Sequence, residues 1–448
     1  MKRYVGQWVG DDSESKGPGK FVVGDDVIPM VTTPEEIDWS TSTTVAWRFD
    51  PTINAEALLA IVPAHCQLVV VYTMGQHSPR THWGNIGAAT DSRILPAIYI
   101  ETTTTEFDRR WTCIDLALVW VGNDVNDFGI ANWLLSATST VITSHPERLR
   151  AIAGVDWWLD PLAPATTDMT VDVYNTFSAD SAKYQAYADA VELAITDWQA
   201  PEPPTVMIVG AGTGLIADAI AHLGYGKLEI VEKNPHCYGT LEAKSAGWRD
   251  CRLHLTSVTP TIADADIIVS EMLGSFGDNE RFPEIRQQMP MSTVSIPQQY
   301  SSVVYPIHSH HSVPGFRPYV AKLSRYYPLA DATEIWRFDG GNDGTERHGS
   351  VSWTATEAGT INAIMGTFRA QLYGHVAIHN CPATPSSLVN GQYCSSWFPM
   401  VFPVADYHVE IGDTITFAMW RRSDSNRVWY EWQFQGTRYN IDGTHFSF

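Results

Sequence analysis

Cysteine is scarce in this chain: six among 448 residues, at Cys66, Cys113, Cys237, Cys251, Cys381 and Cys394, with no CxxC pair. Their scatter speaks against a zinc ribbon or a dithiol motif and fits buried free thiols in a reducing compartment. Long hydrophobic runs are missing too, and none approaches the length that crosses a bilayer. The N-terminal MKRYVGQWVGDDSESK has two basic residues at its start but no apolar stretch after them, so no signal peptide is expected. The expected location is cytoplasmic, nuclear or both. Basic charge is the third shortage. Lys and Arg number 29 against 50 Asp and Glu, a net charge of −21 spread along the chain. Such a surface lacks the patches that grip a phosphate backbone, so direct binding to nucleic acid or to a membrane is not expected. It suits a basic partner, or it simply keeps the protein soluble.

What is present points to several domains. Residues 1–165 alternate short apolar runs with helix-like stretches. QLVVVYTM (67–74) and ALVWVG (117–122) read as buried strands. ERLRAIAGVDWWL (147–159) has apolar residues at helical spacing, and Thr102 to Thr105 read as a loop or edge strand. The mixture implies an α/β layer or part of a barrel. Residues 178–198 form a helical pattern with Tyr184, Tyr187, Ala188, Val191, Ile195 and Trp198 on one face, and Ser181 or Asp180 as its cap. QAPEPPT (199–205) then breaks the chain. VMIVG, KLEIVE, RLHLTS and ADIIVSE alternate with helical segments, the signature of a parallel sheet. From about Ile296 aromatic-rich strands alternate with turns, which reads as an antiparallel sheet or barrel.

Gly210-Ala211-Gly212-Thr213-Gly214 lies between the first strand of that series and a helix. Glycines let the backbone turn tightly against a ligand, and the helix N-terminus beyond favours an anionic group. The second strand ends in Glu232, an acceptor for ribose hydroxyls. A dinucleotide fingerprint wants glycine where Leu215 stands, so the loop fits S-adenosylmethionine better. A bare strand–helix turn is the bland alternative.

SEMLGSFGDNE (270–280) sets two glutamates, Glu271 and Glu280, around a short loop that follows a buried strand. Like charges held close raise each other's pKa, so the pairing makes sense around a cation. In an open α/β sheet ligands bind at the carboxyl ends of strands, where Gly210, Glu232 and Glu271 all lie. A guanidinium, planar and with five donors, satisfies two carboxylates at once. Two carboxylates can hold its charge and aim one nitrogen at a methyl sulfonium. His308, His310 and His311 read as a polar surface loop rather than a metal site, since no carboxylate or cysteine sits at ligand spacing.

With these motifs in hand, the chain resembles the protein arginine N-methyltransferases, most of all the type II branch that makes symmetric dimethylarginine. The likeness rests on YNTFSADSAKYQAY (174–187), VEKNP (231–235), DIIVSEMLGSFGDNE (266–280), SIPQQY (295–300), SSWFPMVFP (395–403) and WRRSDSNRVWYEW (420–432). Weaker matches, RILPAIYI (93–100) and WWLDPLAP (157–164), reach into the N-terminal part. The resemblance implies a Rossmann-like S-adenosylmethionine domain (166–296) and an antiparallel β-barrel substrate and dimerisation domain (297–448). Before them it implies a reduced TIM-barrel-like α/β domain (1–165). It implies transfer of methyl groups to arginine in Arg/Gly-rich basic segments, with S-adenosylhomocysteine as the second product and no metal. Tyr174, Lys183, Tyr184, Gly210, Gly212, Gly214 and Glu232 would bind the cofactor. Glu271 and Glu280 would be catalytic, Phe177 would shape the pocket for the symmetric product, and Trp397 would lie against the guanidinium. A homodimer and a WD-repeat partner stay open, as do a monomethylarginine-only enzyme and an inactive scaffold. Thr213 stands where the branch carries arginine, and only Val258 and Thr259 stand near the place of its adenine-holding acid. PIHSHHSVPGFRPYV (306–320) is short where the family carries a dimerisation insert.

Overall fold

The computed structural model describes residues 157–448 apart from 164–166, 257–263, 311–314, 340–343 and 383–390. Of the first 156 residues it describes 4–9, 19–23, 26–31, 39–40, 44–48, 62–63, 65–73, 94–100, 116, 118–121, 138 and 140–143. The chain forms two compact units. One is residues 1–157 with the short segments 309–311 and 323–327; the other is 158–308, 312–322 and 328–448.

In the first unit eight strands close into a barrel in sequence order: β1 (Tyr4–Val9), β2 (Gly19–Val23), β3 (Asp26–Val31), β4 (Thr44–Arg48), β5 (Gln67–Thr73), β6 (Ile94–Ile100), β7 (Leu118–Val121) and β8 (Thr140–Ile142). β1, β2 and β3 pair antiparallel, every later neighbour pairs parallel, and β8 returns parallel to β1. The barrel is therefore reduced in length but not in strand number. Antiparallel neighbours need only a short turn, and just two residues separate β2 from β3, whereas a parallel crossover needs a dozen or more. Met30, Ala46, Val69, Val71, Ala97, Tyr99, Leu118 and Trp120 gather in one core. Tyr99 and Trp120, cross-strand partners, stack with ring centroids 4.0 Å apart. Trp47, Leu68, Val70, Ile98 and Val119 on the alternate positions are buried as well, as expected for parallel strands covered on both faces. Trp157–Leu159, which spacing placed at the end of a helix, is a short strand; residues 147–156 and Thr102–Thr105 lie outside the described residues.

The second unit opens with helices α1 (Val171–Ser178) and α2 (Ser181–Thr196). A parallel sheet follows: β9 (Thr205–Val209), β10 (Lys227–Glu232), β11 (Cys251–Leu255), β12 (Ile267–Ser270) and β13 (Val294–Ile296). Their order across the sheet is β11-β10-β9-β12-β13. The chain steps outward from β9 to β11 and then returns to the other side of β9. That reversal opens a crevice between the carboxyl ends of β9 and β12, the place where such sheets take ligands. Helices α3 (Leu215–Ile220) and α4 (Pro235–Ser245) connect the strands.

Beyond β13 the main strands pair antiparallel: β14 (Gln299–Ser309), β15 (Thr333–Phe338), β16 (Arg347–Thr354), β17 (Gly359–Tyr373), β18 (Met400–Val409), β19 (Thr414–Ser423), β20 (Val428–Phe434) and β21 (Thr437–Tyr439). β14 pairs with β15 and β17, and β17 with β18. A separate sheet runs β16-β19-β20-β21. The two curled sheets share an aromatic core in which Phe402 meets Tyr430 and Trp432 at 5.8 and 5.4 Å. This is the antiparallel β-barrel domain that the aromatic-rich strands imply. Of the cysteines, Cys66, Cys237, Cys251, Cys381 and Cys394 are free, and Cys113 lies outside the described residues.

Candidate active site

A cavity of about 300 Å³ opens at the crevice between β9 and β12. At one end the glycine loop leaves β9 with Gly210 at φ 73° and Gly212 at φ 55°, angles that a side-chain-bearing residue rarely takes. A Cβ on Gly212 would stand 2.9 Å from the Tyr174 ring, so the bare backbone is what keeps the cradle open. Glu232, at the end of β10, is buried and accepts the Gly212 and Asn234 amides at 2.6 Å each. Asn234 caps α4 by accepting the His236 amide at 3.0 Å, and its side-chain NH₂ donates to the Tyr174 hydroxyl at 3.1 Å. One carboxylate thus ties the glycine loop to the start of α4, with spare lone pairs facing the cavity.

At the other end lie the two glutamates. Glu271 leaves β12 directly. The loop after it turns at Gly274 (φ 66°) and Gly277 (φ 91°) and is bound to the antiparallel domain. Phe276 is buried against Trp336, Phe402 and Tyr430 at 5.7, 5.2 and 5.4 Å. Ser302 donates to the Phe276 carbonyl and Asn380 to the Ser275 carbonyl, each at 2.8 Å. The packing returns Glu280 to the cavity that Glu271 also lines. Burial and the nearby Glu271 push the Glu280 carboxyl up to about 8, with Lys183 opposing the rise. Burial and the same carboxylate also raise the Tyr184 phenol well above its ordinary range, so it stays a hydroxyl donor.

Lys183 is fully buried, and its ammonium binds Glu271 and donates to Ser396 Oγ at 3.0 Å. Three aromatic rings enclose it: Trp397 at 4.4 Å, Tyr184 at 4.7 Å and Phe177 at 5.0 Å from Nζ. Asp180 holds the N-cap position of α2 but makes no capping bond; its Oδ2 instead accepts the Ser396 amide and hydroxyl at 2.9 Å each. Ser396 thereby joins α2 to the segment that carries Trp397, whose ring meets Phe368 edge-on at 5.2 Å.

Tyr174, Phe177, Tyr184, Gly210, Gly212, Glu232, Glu271, Glu280 and Trp397 all line this one cavity. Two expected residues stand off its wall. Gly214 is a packing position: a Cβ there would meet the Trp248 ring at 2.7 Å. Lys183 lies behind Glu271, drawn there by a carboxylate and by aromatic faces along its stem. Thr213, the departure from arginine, has its carbonyl held by Lys244 at 2.9 Å. Val258, Thr259 and His311 lie outside the described residues, while Thr256 lines the cavity. His308 Nδ1 bonds the Thr360 carbonyl at 2.7 Å within the sheet. Among the described residues no three His, Cys, Asp or Glu side chains gather as a metal site would need. Sequence reasoning missed Asp180 as a partner of Ser396, and it missed Asp278, Glu284 and Arg421 altogether. Asp278 and Arg421 stood inside quoted motifs, so the signal was there without a role attached.

Two family models match overlapping stretches that together span residues 147–445: the PRMT5 arginine-N-methyltransferase over residues 147–295 and the PRMT5 oligomerisation domain over 289–445. The chain belongs to the protein arginine N-methyltransferase family. Curated members of the family align across the same region. Protein arginine N-methyltransferase 5 of Xenopus laevis is 31% identical over 320 residues, 62% of this chain and 49% of that protein. The Drosophila melanogaster protein of the same name is 33% identical over 310 residues, 61% of this chain and 50% of that protein. The Caenorhabditis elegans one is 32% identical over 359 residues, 62% and 48%. The chain spans about half the length of these relatives. A solved Trypanosoma brucei PRMT1 enzyme–prozyme heterotetrameric complex with AdoHcy aligns with 60% of this chain and 94% of that one, at TM-score 0.49 and 15% identity.

Proposed function

We propose that this chain transfers methyl groups from S-adenosylmethionine to guanidinium nitrogens of arginine in Arg/Gly-rich basic segments, and that the product is symmetric dimethylarginine. The observation that carries the reading is the convergence of Glu271, Glu280 and Trp397 on the cavity that also holds Glu232 and the glycine loop. The residues fit such a cofactor. Glu232 offers acceptors for ribose hydroxyls, Tyr174 packs where a Cβ on Gly212 would intrude, and Gly210 keeps the approach free of side chain. When bound, the cofactor supplies an electrophilic methyl group on a sulfonium. S-adenosylhomocysteine remains afterwards.

The chain's own residues do the rest. Glu271 and Glu280 hold the guanidinium by paired hydrogen bonds and draw its charge toward the nitrogens they touch, leaving another nitrogen aimed at the methyl. Glu280, its carboxyl pushed up to about 8, acts in its ionised form, and its raised basicity makes it the acceptor for the proton released. Lys183 is reassigned from cofactor contact to orienting Glu271, because its ammonium is already bound there. Trp397 covers the guanidinium face, worth roughly 0.5–2 kcal/mol. Phe177, beside Tyr174 at 6.2 Å, limits the room around the methylated nitrogen and favours the symmetric product.

The same reading divides the labour along the chain. Residues 166–296 bind the cofactor. Residues 297–448, similar to a domain named for oligomerisation, bind substrate and a second copy. The location proposed is cytoplasm, nucleus or both. The test is methyl transfer from labelled S-adenosylmethionine to an Arg/Gly-rich peptide by wild type and Glu271→Gln, with the methylarginines resolved after hydrolysis. Symmetric dimethylarginine from wild type alone is the expected result. Monomethylarginine alone would sink the type II assignment, and loss of both transfer and cofactor binding would leave an inactive scaffold.

A further inference from the structure

The loop that carries Glu280 is gripped from the barrel side by a residue the proposed reaction does not use. Arg421 projects from β19 and is fully buried. Its guanidinium forks onto Glu284, Nη1 to Oε1 at 2.9 Å and Nη2 to Oε2 at 2.9 Å. Nη2 also donates to the Asp278 carbonyl at 3.0 Å and Nη1 to the Thr345 carbonyl at 2.7 Å. Its Nε stands 3.7 Å from Asp278 Oδ2. Asp278 is fully buried too and accepts Trp336 Nε1 at 2.8 Å and the Tyr430 hydroxyl. Asp278 lies two residues before Glu280 and Glu284 four after it, so one guanidinium holds the chain on both sides of the carboxylate. Between them Arg281 takes the left-handed conformation at φ 68°, and its own guanidinium donates to the Ser425 carbonyl at 3.1 Å in the turn after β19.

Burying this many charges is a poor way to gain stability. Apolar side chains of similar volume often do as well or better, and the neighbours Phe276, Trp336 and Tyr430 already form an aromatic core. What a fork supplies that packing does not is direction: it fixes a carboxylate and a carbonyl at set angles. We infer that Arg421 is a positioning residue for the two-glutamate clamp, fixing from the barrel sheet the direction in which Glu280 meets the substrate. This rests on the reading of Glu271 and Glu280 as the guanidinium clamp. Misplacing a reacting group by an ångström can cost about a hundredfold in rate.

The groups facing Glu280 are Glu271 at the end of β12 and Lys183 and Tyr187 on α2; substitution at Arg421 alters none of them. A loop released from its grip admits water to Glu280, so the acid limb of the rate profile moves to lower pH. A residue that only stabilised the fold would leave that limb in place. The experiment uses the full chain with Arg421→Lys, which keeps a charge but loses the fork, and Glu284→Gln, which keeps the shape should the first not fold. S-adenosylhomocysteine affinity is measured by calorimetry, and kcat and KM for an Arg/Gly-rich peptide across pH 6–9. Expected are cofactor affinity within about twofold of wild type, kcat lower by about tenfold to a hundredfold, a smaller change in KM and an acid limb moved down. A folded Arg421→Lys chain with wild-type kcat, or activity lost in both variants only in step with folded fraction and with the limb unmoved, overturns the inference. If wild type itself transfers no methyl to arginine, the functional reading fails by that result. The positioning inference is then decided by carbon-13 NMR of Glu-labelled chain, with the Glu280 carboxyl assigned through Glu280→Gln. A titration midpoint lower in Arg421→Lys supports it, and an unmoved one refutes it.

Discussion

Raising the pH should switch this clamp on, because Glu280 must be ionised to hold a guanidinium and is not so at neutral pH. Its carboxyl is pushed from 4.5 to about 8 by burial and by Glu271. The raised value means the protonated form dominates below 8, so kcat/KM increases with pH and levels off above it. With a midpoint of about 8, about 1% of the sites are ionised at pH 6, about 9% at pH 7 and half at pH 8. The expected rise in kcat/KM is therefore about fiftyfold from pH 6 to 8 and less than about twofold beyond. At pH 7 ionisation costs about 1.4 kcal/mol, one tenfold step in rate. The assay is initial-rate methyl transfer to a low concentration of Arg/Gly-rich peptide, at constant ionic strength, in wild type and Glu271→Gln. Removing the Glu271 charge should move the limb to lower pH in whatever activity survives. A wild-type profile flat between pH 6 and 9 would refute the argument, since no other assigned group is placed to mask an essential carboxylate.

The same raised value has a consequence for stability. A carboxyl raised in the folded state contributes stability that is fully present below about 4.5 and lost as pH climbs through about 8. Glu280→Gln should therefore be inactive yet more stable than wild type at pH 7, by roughly 3 kcal/mol in chemical denaturation; an equal or lower midpoint would contradict the burial assigned to Glu280. Lys183→Met leaves Glu271 without its cation and should destabilise by roughly 3 kcal/mol, read as a lower melting temperature, with peptide turnover lost. Gly212→Ala places a methyl against Tyr174 at a φ of 55° and should weaken S-adenosylhomocysteine binding by more than about tenfold while the second unit stays folded, checked by calorimetry and circular dichroism. Affinity for a basic peptide should fall as salt rises from 50 to 300 mM, about a factor of several, if the net charge of −21 steers encounter; salt-independent binding would leave that charge a solubility device.

Local chemistry alone determined much of this protein. Alternating strand and helix patterns specify a parallel sheet because each element type buries its apolar face with its own period, and Gly210, Glu232 and Glu271 stand at strand ends whatever the rest of the chain does. The cradle was legible for that reason, as was the aromatic-rich antiparallel domain. Four features had no local signature. The barrel closes with eight strands because antiparallel pairings replace crossovers in β1–β3, and sequence length cannot reveal which connection is used. Lys183 reads as a polar helix residue, yet its ammonium is buried between the carboxylate that follows β12 and three rings: Tyr184 on its own helix, Phe177 on α1, and Trp397 more than two hundred residues on. Asp180 reads as a helix cap but is claimed by Ser396. Arg421, Asp278 and Glu284 come together across 137 to 143 residues of chain. Whether a charged side chain is solvated, caps a helix or forks onto a distant carboxylate depends on what the fold brings within about 3 Å of it, because hydrogen bonds act only at contact, and contact between residues this far apart exists only once the sheets have packed.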